Sequence, residues 1–154
     1  MSDSTARRDP RTIVAGVDGS ACSKLALAWA GRQAELTGAT LTVVSTWQVP
    51  ASYGWVAPMP DSIDLEADVR TMLEATVKEV LPEPRAYPVE LEVVAGHPAS
   101  VLTELSRQAS LVVVGSRGHG GFVGMLLGSV SRHLTAHAHC PVVVFRATSA
   151  ARAA

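Results

Sequence analysis

The chain is short of several things, and each shortage narrows what it can be. Two cysteines in 154 residues, Cys22 and Cys140, are too few for a disulfide scaffold and too isolated for a CxxC site; both are read as small buried hydrophobes. No sign of charge dominates, since 13 Lys+Arg stand against 14 Asp+Glu for a formal net charge of −1. Nucleic-acid and membrane-surface proteins need a dense basic footprint, so neither partner is expected. No apolar run approaches the ~20 residues that span a bilayer. The polar start, Met1 to Thr12, also has no hydrophobic core of a signal peptide, so the expected location is cytoplasmic. Aromatics make up only 5%.

What is present is aliphatic. The chain is 47% hydrophobic and 18% charged, which suits one domain with a real core built largely from Val, Leu, Ile and Ala. Short apolar runs recur at Ile13–Val17, Leu41–Val44, Leu111–Val114 and Val142–Phe145, and a fifth segment, Val89–Val94, alternates with glutamates. Helical spacing fills the gaps. Ser20 caps a helix carrying Leu25, Ala28, Trp29 and Leu36 toward one side and ending near Gly38. Leu65, Val69, Met72, Leu73, Val77, Val80 and Leu81 keep i, i+3, i+4 spacing until Pro82 and Pro84. Pro98 opens a third helix and Gly128-Ser129 a fourth, running to about His137.

Strict alternation of strand and helix implies a parallel, doubly wound α/β sheet with helices on both faces. A strand buried on both faces reads as unbroken apolar residues, while a half-exposed edge strand alternates. Val89–Val94 is therefore an edge, and the five-stranded order is 3-2-1-4-5. The last strand is the opposite edge yet apolar on both sides, so homodimerisation through Val142, Val143, Val144 and Phe145 is expected. One domain is expected over residues 12–146, with flexible flanks at 1–11 and 147–154. Trp47 to Pro60 forms a long Pro-, Gly- and aromatic-rich connection, either a functional lid or a solvent-side loop.

In such a sheet, ligands bind beyond the carboxyl ends of the strands where the order reverses, here between strands one and four. Asp18 follows strand one and the glycine-rich stretch Gly115 to Gly121 follows strand four. The glycines allow close backbone approach or positive φ, and the amides of such a loop, with the helix start at Gly128-Ser129, suit an anion. Phosphate is the natural guest. Gly115 to Gly120 has the GxxxxG part of a Walker loop, but Gly121 and Phe122 replace its Lys and Ser/Thr. Nor does Gly16-Val17-Asp18-Gly19-Ser20 carry a dinucleotide fingerprint.

The remaining pattern is Gly115-x2-Gly118-x9-Gly128-Ser129, flanked by IVAGVDGS at Ile13–Ser20 and GSVSRHLTAHAHCPVVVF at Gly128–Phe145. With these blocks, the chain resembles the universal stress protein family, whose ATP-binding members carry G-x2-G-x9-G-[ST]. The resemblance covers about Thr12 to Arg146. It implies a usually dimeric five-stranded parallel fold and an ATP site with Mg²⁺. Asp18 then faces ribose or phosphates and helps hold Mg²⁺, Gly16 and Val17 flank base and sugar, and Thr46 meets the adenine edge through its backbone. Gly115 and Gly118 border ribose and phosphates, with Ser116 and His119 in the same loop. Gly128, Ser129, Val130 and Ser131 supply amides and hydroxyls to the phosphate chain. The sequence departs from the family at Ser110, where an Asp often stands, and in the Trp47–Pro60 loop.

The function so implied is a dimeric, ATP-dependent stress-response switch with at most slow hydrolysis, acting on a signalling partner that the residues do not name. A ligand-free interaction scaffold of the same fold is the alternative, and an ATP-using or flavin-linked enzyme a further one. His119 and Arg117 are open to phosphate contact, but no residue in the pattern orients His119 for catalysis. Ser129 also fits a plain helix cap. His133 and His137 share a helix face at i, i+4, followed by His139 and Cys140. Without accompanying carboxylates or a second cysteine they are read as a solvated helix end, where cationic His favours the dipole.

Overall fold

Five parallel strands in the order β3-β2-β1-β4-β5 form the sheet of the computed structural model, which describes residues 11–49, 64–118 and 126–146. Among the described residues strand and helix alternate: β1 (Thr12–Gly16), α1 (Ala21–Thr37), β2 (Thr40–Trp47), α2 (Leu65–Val80), β3 (Val89–Ala95), α3 (Pro98–Leu105), β4 (Leu111–Gly115), α4 (Ser129–His137) and β5 (Val142–Phe145). This is the expected doubly wound arrangement, with β3 and β5 at the edges. The expected flanks and the lid segment beyond Val49 lie outside the described residues.

Period-two alternation sends successive strand residues to opposite faces, and each face meets its own pair of helices. Ile13, Ala15, Leu41, Val43 and Val113 pack with Ala26, Leu27 and Ala30 of α1 and Leu73 and Val77 of α2. Val14, Val44, Val112 and Val114 pack on the other side with Leu102 of α3 and Leu134 of α4. β5 contributes to both cores: Val143 and Phe145 pack on the first, Val142 and Val144 on the second, all four half-buried.

Local chemistry sets the helix ends. Ser20 accepts from the Ser23 amide at 3.3 Å to cap α1, and Gly38 ends it in the left-handed region at φ 71°, donating to Ala34 O. The buried face of α1 differs from the one expected. It is Cys22, Ser23, Ala26, Leu27, Ala30, Gly31 and Ala34, whereas Leu25, Ala28 and Trp29 are half-buried and Leu36 is 78% exposed. Small residues every three or four positions let the helix backbone lie close against the sheet, which a stripe of larger side chains prevents. At Gly31 a Cβ would stand 2.7 Å from Leu81 and 2.9 Å from the Tyr87 hydroxyl, so the segment after α2 packs directly on α1.

β2 runs past the apolar stretch Leu41–Val44 to Trp47, because β3 keeps pairing with it through Trp47↔Ala95. Trp47 is thus strand and not loop. Among the described residues no helix is long and apolar enough to cross a membrane.

Candidate functional site

The carboxyl ends of β1 and β4 lie side by side, paired through Ile13↔Leu111 to Ala15↔Val113. Above β1 the chain turns at Asp18-Gly19-Ser20, with Gly19 at φ 82°. Asp18 Oδ1 accepts from the Ser20 amide at 2.9 Å, and the Asp18 amide donates to Ser23 Oγ at 3.4 Å. The exposed carboxylate is therefore oriented by the turn that starts α1. Buried Ser45 on β2 fixes the preceding peptide by donating to Val17 O at 2.6 Å.

Above β4 the backbone of Ser116 is the anchor. Its amide donates to Phe145 O at 2.9 Å, and its carbonyl accepts from the Gly128 amide at 2.6 Å and from Ser131 Oγ at 3.2 Å. The start of α4 is thereby drawn over the end of β4. Gly128 is the N-cap, with no side-chain cap bond, and Ser129 is the first helical residue. Ser129 is thus not the cap that its residue type suggested. The first amides of a helix have no intrahelical partner, so this uncapped end presents donors and the positive end of a dipole. Ser131 is buried, and its hydroxyl donates to Ser116 O and Gly128 O, bracing the turn from within.

Four glycines around the crevice, three of them from the motif, are explained by space and not by positive φ, which none of them has. A Cβ on Gly16 would meet Leu102 at 2.9 Å, and one on Gly115 would meet Cys22 Cβ at 2.9 Å and Ser23 N at 3.0 Å. These two glycines let α3 and α1 close onto the strand ends. At Gly128 the nearest atom is Ser116 O at 3.3 Å, and at Gly118 a Cβ would collide with Asp18 Oδ2. Gly118 and Asp18, exactly one hundred positions apart in number, thus face each other across the crevice.

The crevice opens into a cavity of about 700 Å³. It gathers Gly16, Val17, Asp18 and Thr46 with Gly115, Ser116 and Gly118, and with Gly128, Ser129, Val130 and Ser131 of α4. His119 lies outside the described residues. The site expected from the sequence is therefore brought together wherever it is described. The cavity also has a wall that motif reading missed: Gln48 of the β2 end, Val69 and Met72 of α2, and His97, Pro98 and Leu102 at α3. No motif marks these positions, and only the topology brings them close. His97 caps α3, its Nδ1 accepting from the Ala99 amide at 3.2 Å. Arg117 and Arg132 line the side near the α4 start, so the described lining carries two guanidinium groups against one carboxylate in a chain of net charge −1. Among the described residues no group of three or more His, Cys, Asp or Glu side chains is placed to hold a metal ion.

A model of the universal stress protein family matches residues 10–146. The chain belongs to the universal stress protein family. Among curated relatives it is 38% identical over 148 residues to universal stress protein MT2052 of Mycobacterium tuberculosis, matching 86% of this chain and 47% of that one. It is 36% identical to universal stress protein Rv2623 of the same species, at 86% and 46%. The chain spans about half the length of these relatives. Its fold matches a universal stress protein solved in complex with cAMP, with TM-score 0.65 and 25% identity, covering 90% of this chain and 98% of that one. It also matches one from Archaeoglobus fulgidus in complex with dAMP, with TM-score 0.61 and 19% identity over 88% and 96%. At that identity the likeness is one of fold. Against this background the universal stress protein domain described above has its cavity at the switch point of the sheet, between the Asp18 turn and the α4 start.

Proposed function

We propose that this universal stress protein domain is a nucleotide-binding regulatory module that takes ATP with Mg²⁺ into the cavity between β1 and β4. The observation that carries the reading is the α4 start: an N-cap glycine without a side-chain cap, held by Ser116 O, opposite the oriented carboxylate of Asp18. Amides of Ser129, Val130 and Ser131, with the Ser129 hydroxyl, meet the phosphates; Gly115, Ser116, Gly118 and His119 border them. Gly16 and Val17 flank base and sugar, and the Thr46 backbone reads the adenine edge. The bound adenine nucleotides of two solved family members support this class of ligand.

Asp18 is the one carboxylate among the described lining residues. Magnesium is commonly bound through one or two carboxylates together with substrate phosphates, so the donor set fits. The ion neutralises phosphate charge when bound. Asp18 meanwhile keeps its place through the Ser20 amide. With Asp18 assigned to the metal, at most slow hydrolysis is expected. We place the module in the cytoplasm, as a dimer formed along β5, where occupancy is read by a signalling partner.

Calorimetry with Mg-ATP, AMP and cAMP on the untagged chain tests this reading. One equivalent of ATP is expected per chain, with affinity lowered when Mg²⁺ is removed. An absence of adenine-nucleotide binding at millimolar concentration with Mg²⁺ overturns it.

A further inference from the structure

The nucleotide cavity uses the first turn of α4; its last turn carries a different feature. His133 and His137 stand one turn apart, both exposed, with ring centroids 4.5 Å apart and planes inclined by 41°. Among the described residues neither ring has a hydrogen bond or ion pair, so both are available as ligands. Their positions are firmly held. Leu134 between them is fully buried, the Ala138 amide donates to Leu134 O, and the next amide, His139 N, donates to Ser106 Oγ at 2.9 Å.

We propose that His133 and His137 form an open, two-ligand surface site for a tetragonal divalent transition-metal ion, Cu²⁺ foremost. The separation brings both rings within reach of one ion. With a metal–nitrogen bond of about 2.0 Å and roughly 1.1 Å from nitrogen to ring centroid, cis ligands at 90° put the centroids about 4.4 Å apart, and a tetrahedral angle puts them about 5.1 Å apart. The 4.5 Å between the metal-free rings is within reach of cis coordination by both, and Cu²⁺ favours tetragonal geometry. Imidazole suits Cu²⁺, Ni²⁺ and Zn²⁺, and affinity for a given nitrogen site rises to a maximum at Cu²⁺. α4 holds no carboxylate, and no third described ligand joins the pair, so water fills the other positions. The helix supplies the preorganisation, because the chelate spans a turn that packing already holds. This site is independent of the nucleotide reading.

The test is Cu²⁺ titration of the untagged full chain in a non-coordinating buffer, followed by calorimetry and electron paramagnetic resonance. One equivalent is expected, with hyperfine splitting from two nitrogens and weaker binding of Ni²⁺ and Zn²⁺. His133→Gln and His137→Gln should each lower Cu²⁺ affinity at least about tenfold. His139→Gln serves as the control and should retain wild-type affinity. Because both rings are exposed, unchanged circular dichroism of the metal-free variants is expected to confirm that they fold. Wild-type affinity in both single variants, a spectrum with one nitrogen, or no saturable Cu²⁺ binding overturns the proposal.

Discussion

Asp18 Oδ2 lies where a Cβ on Gly118 would have to go. The carboxylate and the loop are therefore complementary in shape, and any side chain at position 118 displaces one or the other. Gly118→Ala should weaken Mg-ATP binding by roughly tenfold, about 1.4 kcal/mol, as read by calorimetry. Thermal unfolding should move little, because both residues are exposed.

Asp18→Asn separates charge from shape. The amide oxygen can still accept from the Ser20 amide, so the turn and the α1 cap should survive. Mg-ATP affinity is expected to fall while metal-free ATP binding is unchanged or improved. Equal loss with and without Mg²⁺ would count against a metal-facing role for Asp18.

The corrected face of α1 makes a paired prediction. Leu27 is fully buried, so Leu27→Ala should cost about 2–5 kcal/mol in urea unfolding. Leu36 is 78% exposed, and Leu36→Glu should stay within about 0.5 kcal/mol of wild type.

Two glycines of the same helix region should fail for different reasons. Gly38 has open space around it but φ 71°, so Gly38→Val costs conformational energy of about 1–2 kcal/mol. Gly31 lies within a helix and has no such φ, but Leu81 and Tyr87 press on it. Gly31→Val is an overpacking change of about 1–3 kcal/mol, and Leu81→Ala should relieve part of it in a double-mutant cycle.

Burial raises the Tyr87 hydroxyl above its ordinary pKa; Arg85 pulls it back down and Glu35 adds to the rise. Above the ordinary value near 10, the native state then holds a proton that the unfolded chain has lost, so stability falls as pH climbs through that region. Urea midpoints measured from about pH 9 to 11 should decline, and Tyr87→Phe should flatten the decline.

Strand order, edge strands and helix ends were legible because each rests on local chemistry: Val runs, the Val-Glu-Leu-Glu alternation, Ser20, Gly38 and Pro98. The inward face of α1 was not, since reading by size favoured Leu36 and Trp29 while contact with a sheet favours Ala26 and Ala30. At the site, Asp18 and the glycine loop were found through the switch-point rule together with spacing. The reason for the glycines was not found, because the collisions at Gly16 and Gly115 involve residues distant in sequence. Gln48, Met72 and His97 were missed for the same reason: they belong to three different elements and make one wall only after folding.

Ser116 uses its amide on Phe145 and its carbonyl on Gly128 and Ser131. The backbone of Ser116 beneath the α4 start is thus bonded on both sides by the protein itself and has little left to reorganise on binding. The entropy of ordering that wall is lost during folding, not during association, which lowers the ordering cost of binding at this end of the cavity. The same residue also bonds the last carbonyl of β5, so the α4 start and the edge strand share one anchor.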